Sequence, residues 1–155
     1  MSANSRLSTA IHALCWLELA ARRGEESLTS ERVAASLASN PALVRRSLGP
    51  LRDAGLVRAG RGPGAGWSLA RPAKRIRLDE IFDALPDALD DNATFALHPH
   101  EPNQDCPVGF GIRPVLSDVY ADADAAVRHS LRRRTVADVL DQLLAEHPLP
   151  VQVRG

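Results

Sequence analysis

The chain has 155 residues and no apolar run approaching the roughly 20 needed to cross a bilayer, so no membrane span is expected. It has only two cysteines, Cys15 and Cys106, too few and too far apart for a disulfide scaffold. Its N-terminus lacks a basic segment leading into an apolar run and a cleavage site, so no secretion signal is expected and the cytoplasm is the expected compartment. It also lacks a serine, histidine and aspartate order, paired carboxylates in an apolar setting and a nucleotide fingerprint, so it does not read as an enzyme. The formal net charge is zero, which on its face argues against a nucleic-acid partner.

The charge is not evenly spread. Residues 1–75 hold 12 Lys/Arg against 5 Asp/Glu, a net of +7, and residues 76–155 hold 7 against 14, a net of −7. A basic N-terminal part beside an acidic C-terminal part describes a polarised molecule with one end suited to a polyanion. The length fits one compact domain or a small domain with a dimerisation appendage, and the apolar fraction of 45% suffices for a core.

The stretch from Leu28 to Leu69 holds the most information. Ahead of it, Leu7, Ile11, Leu14, Cys15 and Leu19 recur at helical spacing, with Ser8 or Thr9 as the expected N-cap and Gly24 as the stop; this helix is expected to bury one face. Thr29 or Ser30 caps a second helix whose Val33, Ala34 and Leu37 face inward. Asn40 can then cap a third helix, with Pro41 at its first position, where a missing N–H costs nothing. Val44, Leu48 and Leu51 are its expected core face, leaving Asn40, Ala42, Arg45, Arg46 and Ser47 outside. Gly49-Pro50 resists this pattern, because an interior proline costs roughly 3 kcal/mol. A kink near Arg46, or a shortened helix with a fresh turn at Pro50, is expected.

Gly55 stops the third helix. Residues 56–59 and 67–69 read as two strands joined by Gly60-Arg-Gly-Pro-Gly-Ala-Gly66. No Lys-Ser/Thr follows these glycines and the loop enters a strand, so a phosphate-binding loop is set aside. A hairpin wing that brings Arg61 to a narrow groove fits better. The arrangement is a winged helix-turn-helix, mostly α with a small β-hairpin wing, whose third helix suits the DNA major groove. An ordinary solvated surface is the alternative for Arg45 and Arg46, and a winged-helix protein-interaction module is the alternative for the whole.

A basic connector from Pro72 to Arg77 leads to a short helix over 78–85, stopped by Pro86. An acidic, proline-containing loop then marks a boundary. Beyond it Val108, Ile112, Val115, Leu116, Val119, Tyr120, Ala123, Val127 and Leu131 recur at three- and four-residue steps over about seven turns. With Pro114 near its start, the regular helix is expected over 113–133. So long an apolar stripe is most economically hidden against a copy of itself. Thr135 and Asp138 form a capping box for a last helix ending near Glu146, with a loose tail after Pro148 and Pro150. The organisation is then a DNA-binding domain over 1–86, a loop with a possible sensor site over 87–112 and dimerisation helices over 113–147.

These residues resemble the Rrf-two family of bacterial winged-helix transcription regulators over nearly the whole chain. The resemblance rests on Arg6-Leu7-Ser8, Leu51-Arg-Asp-Ala-Gly-Leu-Val57, Arg61-Gly-Pro-Gly-Ala-Gly-Trp67 and Leu69-Ala-Arg-Pro72. Ala65 and Trp67 depart from the family's usual Gly-Gly-Tyr. It implies a homodimer joined by the long C-terminal helix, an approximately palindromic operator and repression. It places base reading on Asn40, Ala42, Arg45 and Arg46, with Arg61 in the minor groove; Ser30 and Ser47 complete the candidate DNA contacts.

The family's cluster-binding branch carries three close cysteines before the dimerisation helix, and here only Cys106 stands there. Three thiolates cannot come from one, so no iron–sulfur cluster or other cofactor is expected. Asn103-Gln-Asp-Cys-Pro-Val-Gly109 instead resembles a cluster-free branch in which thiol oxidation is a possible signal; an unreactive structural thiol is the alternative for Cys106. A helix N-terminus lowers the pKa of a thiol such as Cys106, and the Asp105 carboxylate opposes it. Cys15, otherwise a small core residue, is its candidate redox partner. A small ligand is an alternative effector. So is a metal held by His98, His100, Asp105 and Cys106, although their spacing matches no standard site and a solvated acidic loop is the better account of them.

Overall fold

The computed structural model describes residues 3–85 and 95–148. The expected stop at Pro86, the first part of the acidic loop and the tail beyond Pro148 lie outside these residues. Helix α1, Ala3–Arg22, is the hub against which four other elements pack. It starts well before Ser8 and Thr9, so neither is its N-cap. Thr9 instead donates its hydroxyl to the Ser5 carbonyl one turn back at 2.9 Å, the usual way for threonine to satisfy itself within a helix. Ala10, Ala13, Leu14, Leu17 and Ala20 are buried, and so is Cys15 on another side. The helix is therefore covered on more than the single face expected, and its alanines permit close approach.

Helix α2, Ser30–Ser36, is capped by Thr29, whose side chain accepts from the Arg32 N–H at 3.3 Å. Helix α3, Pro41–Asp53, is capped by Asn40, whose Oδ1 accepts from the Leu43 N–H at 2.9 Å. The turn between them closes as a Schellman motif: Ser39 donates to Ala34 at 2.9 Å and Ala38 to Ala35 at 3.3 Å. The same motif ends α1 at Gly24 and α3 at Gly55, where glycine takes the left-handed conformation; between α2 and α3 an alanine takes it, with Ala38 at φ 48°. Helix α3 runs unbroken past Pro50, overturning the expected shortening. Pro50 forfeits one backbone bond in the last turns, while Val44, Leu48 and Leu51, all buried, pin both sides of it.

Strands β1, Val57–Ala59, and β2, Trp67–Leu69, pair antiparallel with Val57 opposite Leu69 and Ala59 opposite Trp67. The hairpin is extended by a bridge to Leu28, in the connection between α1 and α2: Leu28 donates to the Trp67 carbonyl at 2.9 Å and Trp67 to the Leu28 carbonyl at 2.7 Å. A short 3-10 turn, Ala73–Arg75, leads to α4, Leu78–Ala84.

Helix α5, Pro107–Arg132, begins six residues before the expected 113 and carries Pro114 inside it. Cys106 in extended conformation followed by Pro107 at the first helical position repeats the Asn40-Pro41 start of α3. The C-terminal turns of α5 are rooted on α4: Arg128 pairs with Asp83 at 3.1 Å and its guanidinium lies 5.4 Å from the centre of the Phe82 ring. Helix α6, Val136–Glu146, starts with the expected Thr135–Asp138 capping box and folds back on α1. Its start is stitched to the entrance of α4, where Leu78 donates to Arg134 and Val136 to Ile76, each at 2.9 Å.

An alanine in the left-handed region costs about 1 kcal/mol or more, against a smaller entropic cost for glycine. Ala38→Gly is therefore expected to stabilise the protein by about 0.5 kcal/mol, read as a higher urea midpoint at unchanged slope. A lower midpoint would show that Ala38 is not strained.

Candidate nucleic-acid interface

The exposed side of α3 is cationic. Its buried face is Val44, Leu48 and Leu51, so Ala42 and Arg46, one turn apart on the opposite side, stand outermost. Arg45 and Arg46 are exposed, and among the described residues neither has an acidic partner. Asn40 is exposed, with its Oδ1 taken by the cap, and Ser47 is half-buried on the flank. The helix therefore separates the two adjacent arginines: Arg46 faces straight out, while Arg45 turns toward the wing and lines a cleft there with Arg52. Arg52, exposed and paired with Asp53 at 3.0 Å, was not among the expected contacts; its position one turn beyond Gly49 was the available signal.

The wing is held rigidly at its base and open at its tip. Trp67 donates its indole N–H to the Ser30 hydroxyl at 3.1 Å. Ser30 is buried, so the hydroxyl expected at the DNA surface instead fastens the wing to the start of α2. Gly66 lies against the Leu28 carbonyl so closely that a Cβ would come within 2.5 Å of its oxygen. Only glycine fits there, and a role in approaching DNA is not what that glycine serves. Arg61 is exposed in the 60–66 loop. Arg58 donates to the Leu69 carbonyl across the hairpin at 3.3 Å.

The two cysteines have opposite surroundings. Cys106 is exposed, and the backbone N–H groups of Gly109 and Val108 at the start of α5 hold its pKa below the ordinary thiol value. Cys15 is buried, its Sγ 4.0 Å from the Val136 carbonyl of α6. Burial pushes its pKa up to about 11, with Glu18 adding to the rise and Arg22 opposing it. Cys15 is enclosed between α1 and α6, whereas Cys106 opens α5, so the fold does not bring the two together. Residues 98–101 are tied to α5 through Arg113, which donates to the His98 carbonyl at 3.0 Å and lies 3.5 Å from the Glu101 carboxylate. Among the described residues no three His, Cys, Asp or Glu side chains gather as a metal site would require, and His98, His100, Asp105 and Cys106 are not brought together as one. A groove of about 580 Å³ behind the wing is lined by Glu18, Glu25 and Arg71, which are already paired with Arg22, Arg32 and Glu80.

A helix pair with an exposed cationic second helix, flanked by an anchored basic hairpin, defines a winged-helix DNA-binding regulator of transcription. The chain belongs to the Rrf2 family, described as iron-dependent transcriptional regulators, whose model matches residues 3–142. It is 33% identical to the HTH-type transcriptional regulator YwnA of Bacillus subtilis strain 168 over 141 residues, covering 90% of this chain and 98% of that one. It is 39% identical over 80 residues to the HTH-type transcriptional regulator IscR of Cereibacter sphaeroides, about half of each chain. Among solved structures, a transcriptional regulator from Lactobacillus plantarum superposes with a TM-score of 0.71 at 26% identity, covering 92% of this chain and 91% of that one. The family and these relatives are regulators of transcription.

The contrast between the thiols gives a direct test. In the native protein Cys106 should alkylate in a single fast phase whose rate is half-maximal below the ordinary thiol pKa of about 8.5, because the thiolate persists to lower pH. Cys15 should react only on unfolding, and Cys106→Ser should abolish the native reaction. Fast labelling of Cys15 would contradict its burial.

Proposed function

We propose that the protein is a homodimeric repressor that binds an approximately palindromic operator, with α3 of each protomer in a major groove and Arg61 in the adjoining minor groove. The observation that carries this reading is the pair of exposed arginines on α3, without an acidic partner among the described residues, beside a wing locked to the same helical unit. On this reading Ala42 and Arg46 face the base edges, with Asn40 and Ser47 at the flank. Arginine is suited to bidentate recognition of guanine.

The dimer rests on α5. Its apolar repeat divides into two faces: Leu116, Tyr120, Val127 and Leu131 are half-buried, while Val108, Val115 and Val119 stand 67%, 60% and 53% exposed along another side. An exposed stripe of this kind on a long helix is best covered by its own twin.

The family description names iron, and the donor set here does not fit a cysteine-ligated cluster. The chain has two cysteines, one of them enclosed in the core against α6. We infer that it works without a cluster and that Cys106, exposed with its thiolate favoured, is the oxidation-responsive position. Among the described residues no helix is long and apolar enough to cross a membrane, which accords with a cytoplasmic regulator.

A gel shift on the DNA upstream of its own gene is expected to show saturable binding that falls steeply between two salt concentrations. Absence of binding to any duplex in dilute buffer would refute the reading. Arg46→Ala is expected to reduce discrimination between operator and random DNA by about 1–3 kcal/mol. Equal loss on both would assign Arg46 to phosphate alone. Val119→Arg is expected to give a monomer by sedimentation that retains its helical content; a persisting dimer would move the interface elsewhere.

A further inference from the structure

The side of α3 that faces the wing carries two arginines on either side of a glycine. Arg45, Gly49 and Arg52 follow one another at steps of four and three, so they lie along one stripe of the helix. All three line a cleft of about 480 Å³ whose opposite wall is wing backbone at Ala59, Gly60 and Gly64. A Cβ built on Gly49 meets nothing within 4 Å, so the helix offers an open floor between the two guanidiniums. Arg52 uses its Nε and Nη2 on Asp53 and has further N–H donors to give. Glu31 is the carboxylate on the rim.

In any duplex a sugar–phosphate strand separates a major groove from the minor groove beside it. With α3 in one groove and the wing tip in the next, that strand must pass between helix and wing, and the space between them is this cleft. We propose that the cleft is the seat of that DNA strand: a backbone phosphate lies over Gly49 and is gripped from two sides by Arg45 and Arg52. The proposal rests on the placement of α3 and Arg61 given above. Arg45, grouped with the base readers by its position in the sequence, here serves the backbone, and Gly49 is kept small so that the strand can settle against the helix. A phosphate at this place fixes register and depth without reading sequence. The Glu31 carboxylate weakens the grip and so keeps sequence-independent binding in check.

The test compares affinities for the operator fragment and for a random duplex of equal length at several salt concentrations. Arg45→Ala and Arg52→Ala should each weaken binding about tenfold or more, to the same extent on both duplexes, and each should lower the salt slope by about 0.9. Gly49→Leu should leave the thermal midpoint unchanged or raised, since leucine is the better helix former and the space is open, yet weaken both duplexes alike. Glu31→Gln should tighten both by a few-fold. Losses confined to the operator would overturn the proposal by returning Arg45 or Arg52 to base reading. Unchanged affinity in Arg52→Ala and Gly49→Leu would overturn it by showing that no strand enters the cleft. Either result leaves DNA binding by the wild type standing, whereas a wild type that binds no duplex removes both the placement and this inference.

Discussion

The reciprocal backbone bridge between Leu28 and Trp67 is the interaction on which the rest depends. A two-stranded hairpin of three residues a side has little stability of its own. Here it gains a third partner from the connection between α1 and α2, and the close fit of Gly66 over the Leu28 carbonyl leaves no slack. The bond from Trp67 to Ser30 adds a side-chain fastening at the start of α2. Because α2, α3 and the base of the wing are bonded together, the wing is seated at a set place beside α3, as the proposed contact with two adjoining grooves would require.

Much of the fold was legible because its signals are local. Asn40-Pro41, Gly55 and Thr135 with Asp138 mark helix ends through bonds made within four residues, and the structure places all of them as expected. The prolines were misleading for the opposite reason. Pro50 and Pro114 each remove one bond, but whether a helix breaks depends on what holds it on either side, and for α3 that is the burial of Val44, Leu48 and Leu51 against other elements of the fold. The start of α5 was in principle readable, since Cys106-Pro107 repeats the logic of Asn40-Pro41. The extent of α1 was not, because a helix covered by several neighbours loses the one-sided periodicity that reveals amphipathic ones.

The site divides in the same way. That α3 would be basic and outward-facing follows from periodicity. That Arg45 and Arg46 diverge, one toward the wing and one outward, depends on where the wing docks. Ser30 and Trp67 looked like a surface hydroxyl and a strand aromatic, and only the bridge to Leu28 brings them together. The thiols show how much environment decides: one residue type, placed once in the core and once at a helix start, has its acidity moved in opposite directions.

Helix α5 is long, about 39 Å at the usual rise per residue, and it is anchored mainly at one end. Its last turns are tied to α4 through Arg128, Asp83 and Phe82, while among the described residues its first turns are held by the segment that leads into Cys106. Mechanically this is a cantilever. A force applied near the first turns acts with its greatest leverage at the root, and that root bears on α4, which in turn packs on both α1 and α3. Whatever load α5 carries is therefore borne where it meets α4, the element that joins it to α1 and α3.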